Sequence, residues 1–131
     1  MILAARGWVG VPFRHQGRDR RGVDCVGLII AVGAELGLPC GAVDMRSYGR
    51  LPLGGMLESA VAEHGIPVAE PEAGAVVLCR FARSIQHVAL CTGPTLIHAY
   101  EGVGKVVEHG FRGKWERRAV SAWRLPGVSY E

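Results

Sequence analysis

The sequence predicts an α+β domain in which helices come first and a small antiparallel sheet of about five strands follows. Residues 25–36 carry one long apolar helical pattern, and from residue 74 onward the chain changes to short β-type runs separated by Gly and Pro. The chain has 131 residues, 49% of them hydrophobic, which is the length of one globular domain. We therefore expect a single domain over residues 1–131.

The most distinct element is a helix that begins after Asp24. Asp is a good N-cap residue, and Gly37 and Pro39 are typical stop signals after the last apolar position. Gly27 and Gly33 permit another segment to approach the helix backbone closely. The helix is expected to be central, because one apolar stripe is formed by Leu28, Ile29, Val32 and Leu36.

Weaker patterns predict the remaining elements. Short helices are expected over residues 1–8 and 55–64. Strands are expected over residues 75–80, 86–92, 95–101, 105–109 and 119–125. The order of these elements places the helices before the sheet.

Cys25 lies in the first turn of the predicted helix. Unpaired backbone N–H groups and the helix dipole favour an anion there, so we expect a low-pKa thiol that reacts with iodoacetamide before the other three cysteines. The carboxylate of Asp24 opposes this effect, so a cationic partner such as histidine is needed. The alternative is that Cys25 is a small buried hydrophobe, as most free cysteines are.

Two histidines lie in a predicted hairpin. If Thr92 pairs with Thr95, His87 and His98 become diagonal neighbours on one face, about 7 to 8 Å apart at the backbone. A shift of one residue would place them on opposite faces. One imidazole can take a thiol proton while the other fixes its tautomer. We therefore expect Cys25, His87 and His98 to be the catalytic residues, although each histidine alone is more often structural.

Zinc binding is the competing use of the same three side chains. A fourth ligand is not evident and no pair has metal-type spacing, so no metal or cofactor is expected. Surface or core roles without chemistry are expected for the remaining histidines and cysteines, while disulfides among these cysteines stay open. These residues are His15, His64, His109, Cys40, Cys79 and Cys91.

Charge and hydropathy narrow the classes of partner. A net charge of +3 is far from the dense cationic surface of a nucleic-acid-binding protein, so no nucleic acid is expected. The longest apolar run, residues 26–34, is too short for an integral membrane segment. Four arginines crowd the segment before Cys25 and form either a solvated basic loop or a surface that attracts substrate carboxylates. They are Arg14, Arg18, Arg20 and Arg21.

Several motifs together resemble one family. Residues 8–13 (WVGVPF) and 22–28 (GVDCVGL) are similar to the W-x-G-x-P-Y and D-C-S-G-L signatures of the NlpC/P60 family. Residues 74–78 (GAVVL), 86–90 (QHVAL) and 96–99 (LIHA) are similar to its G-D-L-V, H-V-G-I and I-H-A segments. The resemblance covers nearly the whole chain.

The resemblance implies a papain-like α+β fold, with the nucleophile helix packed on the sheet, and hydrolysis of peptide bonds in peptidoglycan stem peptides. The family habit is the bond from γ-D-glutamate to a diamino acid. Cys25 is then the nucleophile, His87 the base and His98 the orienting residue. We place the substrate near Phe13, Asp24 and Tyr100.

Three departures from the family pattern concern residues near the site. Phe13 replaces a tyrosine whose hydroxyl would be a donor, Val26 replaces the serine after the nucleophile, and Ala75 replaces the aspartate of the G-D segment. The family tyrosine donates to the substrate or the oxyanion, and that donor is absent at Phe13. Neither Val26 nor Ala75 is expected to perform bond chemistry, but the departures leave the details of the substrate open.

The short length and residues 12–17 (PFRHQG) most resemble the peptidases of phage tails and gene transfer agents. This implies tail hub proteins as partners, synthesis in the cytoplasm without a signal peptide, and delivery by a virion to the cell wall in the periplasm. Two other functions stay open: a non-catalytic tail component that keeps the fold, and a thiol acyltransferase or amidase on the same scaffold.

Overall fold

Helices precede a sheet in the computed structural model, which describes residues 1–43, 45, 55–82 and 84–128. The helices are α1 (Ile2–Arg6), α2 (Cys25–Leu36), a 3₁₀ helix (Pro39–Ala42), α3 (Met56–His64) and α4 (Lys114–Arg118). The strands are β1 (Arg18–Asp19), β2 (Gly22–Val23), β3 (Ile66–Val68), β4 (Val76–Phe81), β5 (Ser84–Cys91), β6 (Thr95–Tyr100), β7 (Lys105–Gly110) and β8 (Ala119–Arg124). The predicted α+β class is confirmed.

In the described part of the chain, six strands form one antiparallel sheet in the order β3-β8-β4-β5-β6-β7, and β1 pairs with β2 in a separate ribbon. All five predicted strands are present. The sixth, β3, was not predicted because it has three residues and contains Pro67. Its place at the sheet edge is where a proline is tolerated.

Helix α2 begins and ends where the sequence predicts. The Asp24 side chain caps its N-terminus, and Gly37 adopts the left-handed conformation at its C-terminus, with φ of 69°. Leu28, Ile29 and Val32 are buried, but Leu36 is 44% exposed, so its assignment to the buried stripe is wrong. The last turn of α2 is exposed to solvent, so the apolar stripe is not covered there.

The sheet separates two hydrophobic cores, because successive residues of a strand point to opposite faces. On β5, Val88 and Leu90 pack in the first core, which also contains the buried residues of α2. Ala89 and Cys91 pack in the second core, with Trp115 of α4.

No helix in the described ranges has both the length and the apolar character needed to cross a membrane.

Candidate active site

The start of α2 is fixed by the carboxylate of Asp24, which is 3% exposed. Its Oδ1 accepts hydrogen bonds from the backbone N–H of Gly27 at 2.7 Å and from Nη1 of Arg18 at 3.2 Å. Its Oδ2 accepts from the backbone N–H of Gln16 at 2.8 Å. This geometry supports a capping role that ties the preceding loop to the helix, and the predicted substrate contact of Asp24 stays a prediction.

A close backbone contact holds the same loop against α2. A Cβ placed on Gly27 would lie 2.0 Å from the carbonyl oxygen of Gly17, which is far inside van der Waals contact. The predicted close approach at Gly27 is therefore confirmed. A similar approach occurs at Gly33, where a Cβ would lie 2.3 Å from the sulfur of Cys40 in the 3₁₀ helix.

The sulfur of Cys25 reaches the strand that carries His87. Among the described residues, the pairing of β5 with β6 comprises Leu90 with Ile97 and Cys91 with Leu96. Val88 precedes these paired residues on β5, and its backbone N–H hydrogen-bonds the Cys25 sulfur. The thiol therefore lies against the residue that follows His87, at the end of the β5–β6 ladder.

The hairpin register places the two predicted histidines together. Residue pairing between β5 and β6 continues to the turn, where the backbone N–H of Thr92 donates to the Thr95 carbonyl at 2.9 Å, as the sequence predicts. Both imidazoles are buried. Nε2 of His87 and Nδ1 of His98 lie 2.6 Å apart, which is a short hydrogen bond.

Aromatic rings enclose this histidine pair on the second-core face of the sheet. Tyr100 stacks on His98 with ring centroids 5.6 Å apart, and Phe81 stacks on His87 at 5.3 Å. Trp115 meets the His98 ring edge-on at 4.8 Å. Tyr100, one of the predicted substrate residues, is thus in contact with both histidines.

Phe13, the third predicted substrate residue, lies on the first-core side. Its side chain is half-buried and packs against the first core. Its backbone N–H donates to the carbonyl of Gly104, in the turn between β6 and β7, at 2.8 Å. A substrate contact at Phe13 stays a prediction.

Burial sets the resting protonation of the site. It raises the pKa of the Cys25 thiol to about 12, and the nearby Asp24 carboxylate raises it further. Burial lowers the pKa of His87 to about 3, and the charge of Arg118 lowers it further. Burial also lowers the pKa of His98 to about 2. The prediction of a low-pKa thiol is therefore wrong, because desolvation outweighs the helix dipole. At rest, the Cys25 thiol and the His87 imidazole are therefore each neutral.

The model of the NlpC/P60 family matches residues 10–124. The chain belongs to the NlpC/P60 family. No curated protein matches significantly.

Solved structures show the same fold as this NlpC/P60 chain. An NlpC/P60 family protein from Bacillus cereus ATCC 10987 superposes with a TM-score of 0.72 at 18% identity, over 95% of this chain and 38% of that protein. The NlpC/P60 domain of the peptidoglycan hydrolase SagA gives 0.63 at 22% identity, over 95% of each chain. The peptidoglycan hydrolase RipB from Mycobacterium tuberculosis gives 0.63 at 23% identity, over 98% of this chain and 63% of RipB.

Three arginines of the basic cluster before Cys25 pair with acidic groups of this NlpC/P60 chain. Arg18 pairs with Asp24, Arg20 with Glu35 and Arg21 with Asp19; the three pairs are 3.2, 3.5 and 3.2 Å long, respectively. These three arginines therefore have partners within the domain, which supports the structural interpretation over the attraction of substrate carboxylates.

Metal binding by the predicted trio is not favoured by its geometry. The facing nitrogens of His87 and His98 hydrogen-bond each other and do not converge on a common point. Across the ranges that the structure describes, no group of three His, Cys, Asp or Glu side chains is arranged to hold a metal ion. All four cysteines are free thiols.

Sequence analysis missed three residues that lie around the histidine pair of the candidate site: Trp115, Arg118 and His109. The Arg118 guanidinium lies 4.9 Å from the ring centroids of both Phe81 and Trp115. His109 was assigned no chemistry, yet its Nε2 lies 2.7 Å from Nε2 of His98. The diagonal rule that joined His87 to His98 also applies here, because His98 lies opposite residue 107 in the next hairpin.

A neutral resting thiol leads to a spectroscopic prediction. Titration of the thiolate ultraviolet absorbance, as the difference between wild type and Cys25→Ala, is expected to show no Cys25 thiolate at neutral pH. Ionisation should appear only as the pH rises toward about 12. Alkylation of Cys25 by iodoacetamide at neutral pH should be slow for the same reason. A thiolate signal below neutral pH would contradict the neutral pair.

The lowered histidine pKa values lead to a prediction for acid stability. Below pH 6.5 the unfolded chain binds protons that the folded His87 and His98 do not, so stability falls as the pH decreases from 6.5 toward about 3. The slope is up to about 1.4 kcal/mol per pH unit for each histidine. Urea denaturation between about pH 5 and 7, above the usual carboxyl range, measures it.

Two variants test the assignment of this slope. His98→Gln should reduce the pH dependence of the unfolding free energy, because one buried imidazole is removed. His64→Gln, which removes a side chain that is 38% exposed, should leave it near the wild-type slope. Equal slopes in all three proteins would show that the buried imidazoles are not responsible.

Proposed function

We propose that this NlpC/P60 chain is a cysteine endopeptidase that hydrolyses peptide bonds in peptidoglycan stem peptides. The main support is that the Cys25 sulfur contacts the backbone N–H of Val88, the residue next to His87. His87 in turn is oriented by its hydrogen bond to His98. A nucleophile beside a base that a third group orients is the arrangement that acyl transfer requires.

In the proposed reaction, the Cys25 sulfur attacks the carbonyl carbon of the scissile amide, and the thiol proton passes to His87. The backbone N–H of Cys25, at the start of α2, helps to stabilise the oxyanion. His87 then gives its proton to the leaving amine as the C–N bond breaks, which leaves a thioester. Water, activated by His87, attacks the thioester carbonyl and releases a carboxylic acid and the free thiol.

The resting protonation determines when the first proton moves. With the pKa of the thiol near 12 and that of His87 near 3, a separated thiolate and imidazolium are strongly disfavoured before substrate binds. Proton transfer therefore accompanies formation of the carbon–sulfur bond instead of preceding it. His87 acts as a general base in this step and not as the cation of a preformed ion pair.

The substrate proposal draws on the family. SagA and RipB are both named peptidoglycan hydrolases, and their domains share this fold. We include in the proposal the bond between γ-D-glutamate and the diamino acid, and a place in a phage tail or gene transfer agent, where the protein would bind hub proteins and open the cell wall locally. The motif resemblances support these two finer parts of the proposal.

Digestion of defined muropeptides, followed by mass spectrometry of the products, tests the proposal. Hydrolysis predicts two fragments whose masses sum to the substrate plus one water, with the cut after γ-D-glutamate. Transfer of the acyl group to an added amine would instead indicate a thiol acyltransferase. Unchanged muropeptides and unchanged purified sacculi would indicate a non-catalytic tail component and would refute the proposal.

A further inference from the structure

We propose that His109 is a positioning residue, and that its contact with the Gly110 carbonyl sets the tautomers of three linked imidazoles so that Nδ1 of His87 is the free base. The inference rests on the proposed function for its catalytic meaning. The arrangement of protons that it assigns is measurable without any substrate.

Two hydrogen bonds connect three imidazoles in one line across strands β5, β6 and β7, and a third joins the last ring to the main chain. Nε2 of His87 lies 2.6 Å from Nδ1 of His98. Nε2 of His98 lies 2.7 Å from Nε2 of His109, and Nδ1 of His109 lies 3.0 Å from the carbonyl oxygen of Gly110. The line therefore ends on a group of the main chain.

The Gly110 carbonyl decides the direction of every bond in the line, because a carbonyl oxygen only accepts hydrogen bonds. Nδ1 of His109 must carry the proton, which leaves its Nε2 as an acceptor in the neutral ring. Nε2 of His98 must then donate, and its Nδ1 accepts. Nε2 of His87 consequently donates, so Nδ1 of His87 holds a lone pair.

The opposite direction is excluded by the same contacts. If His87 accepted at Nε2, each bond would reverse and the lone pair of His109 Nδ1 would face the lone pairs of the Gly110 oxygen at 3.0 Å. A proton added to Nδ1 of His109 would remove this clash but would charge that ring, so the direction is fixed when all three imidazoles are neutral. One neutral arrangement satisfies all the contacts.

Packing keeps the line in place. Trp115 meets the His98 ring edge-on at 4.8 Å and lies 5.1 Å from the His109 ring. The pairing of β6 with β7 sets Leu96 opposite His109 and Val107 opposite His98, so the two rings are diagonal neighbours on one face. His109 thus acts on the nucleophile through two other side chains and touches no reacting atom.

Nitrogen NMR of the imidazole rings tests the proton arrangement directly in the full chain. The wild-type protein is expected to show His87 and His98 protonated on Nε2 and His109 protonated on Nδ1. A proton on Nδ1 of His87 would overturn the inference even if the protein hydrolyses muropeptides. Conversely, the expected tautomers in a protein without hydrolytic activity would leave the inference intact and refute the proposed function.

Three substitutions of His109 then separate tautomer control from packing. His109→Phe keeps a ring but removes the acceptor, and should give mixed tautomers at His87 and a kcat lower by about 10- to 100-fold with little change in KM. His109→Gln offers an amide oxygen to His98 and should restore much of the loss. His109→Lys offers only donors and should invert the tautomers, with a larger loss approaching about 10⁴-fold.

Thermal unfolding of each variant accompanies these measurements. A merely structural role predicts that kcat follows Tm in all three variants and that the tautomer of His87 does not change, which would overturn the inference. His64→Gln is the matched control, since it removes a histidine outside the line and should leave the NMR signals of His87 unchanged.

Discussion

The Cys25→Ala variant is expected to release muropeptide fragments at least about 10⁴-fold more slowly than wild type. The physical reason is that no other group at the start of α2 can form the acyl intermediate, so His87 has no proton to accept. Mass spectrometry of timed digests of purified sacculi measures the rate. Near-wild-type release by this variant would remove Cys25 from the mechanism.

A second thiol gives a matched control for that loss. Cys91→Ala also removes a buried sulfur, but in the second core, where the side chain packs with Leu96 and Ala122. Both variants should unfold cooperatively, with similar modest losses of stability. Only Cys25→Ala should lose turnover, so equal loss in both variants would indicate a folding defect and not a missing nucleophile.

Asp24→Ala is expected to lower the unfolding free energy by about 3–5 kcal/mol. The substitution removes the N-cap of α2 and leaves the largely buried guanidinium of Arg18 without its carboxylate, since the Arg18 side chain is 11% exposed. It also frees the backbone N–H of Gln16. Urea denaturation at neutral pH measures the change.

Two comparisons interpret the Asp24 result. Asp24→Asn keeps an oxygen for the Gly27 N–H but loses the charge that faces Arg18, so its loss of stability should be intermediate. Asp19→Ala breaks an exposed pair with Arg21 and should behave as an ordinary surface substitution. If Asp24→Ala and Asp19→Ala unfold at the same urea concentration, the capping role is wrong.

The parts of the fold that local chemistry determines could be predicted from the sequence. Asp24 and Gly37 bound α2 because a cap and a left-handed glycine act within a few residues of the helix ends. The turn from Thr92 to Thr95 set the register of β5 and β6, and with it the approach of His87 to His98. In each case one short stretch of chain contains the determining contacts.

The parts that depend on burial could not be predicted in the same way. The pKa of Cys25 is raised because the sheet covers the thiol, and no feature of the neighbouring sequence indicates how completely it does so. The exposure of Leu36 could not be predicted for a similar reason. An apolar stripe predicts which face of a helix is buried, but not how far along the helix the covering residues extend. The diagonal rule could have identified His109, but this residue was assigned no chemistry because it lies at the end of a predicted strand.

The contact of Gly27 with the Gly17 carbonyl limits how this domain can be re-engineered. Main chain rests on main chain there, so libraries that randomise position 27 will be dominated by proteins whose capping loop has been displaced. Changes of side-chain size are better placed at positions such as Phe13, where a half-buried side chain and not the main chain packs against the first core.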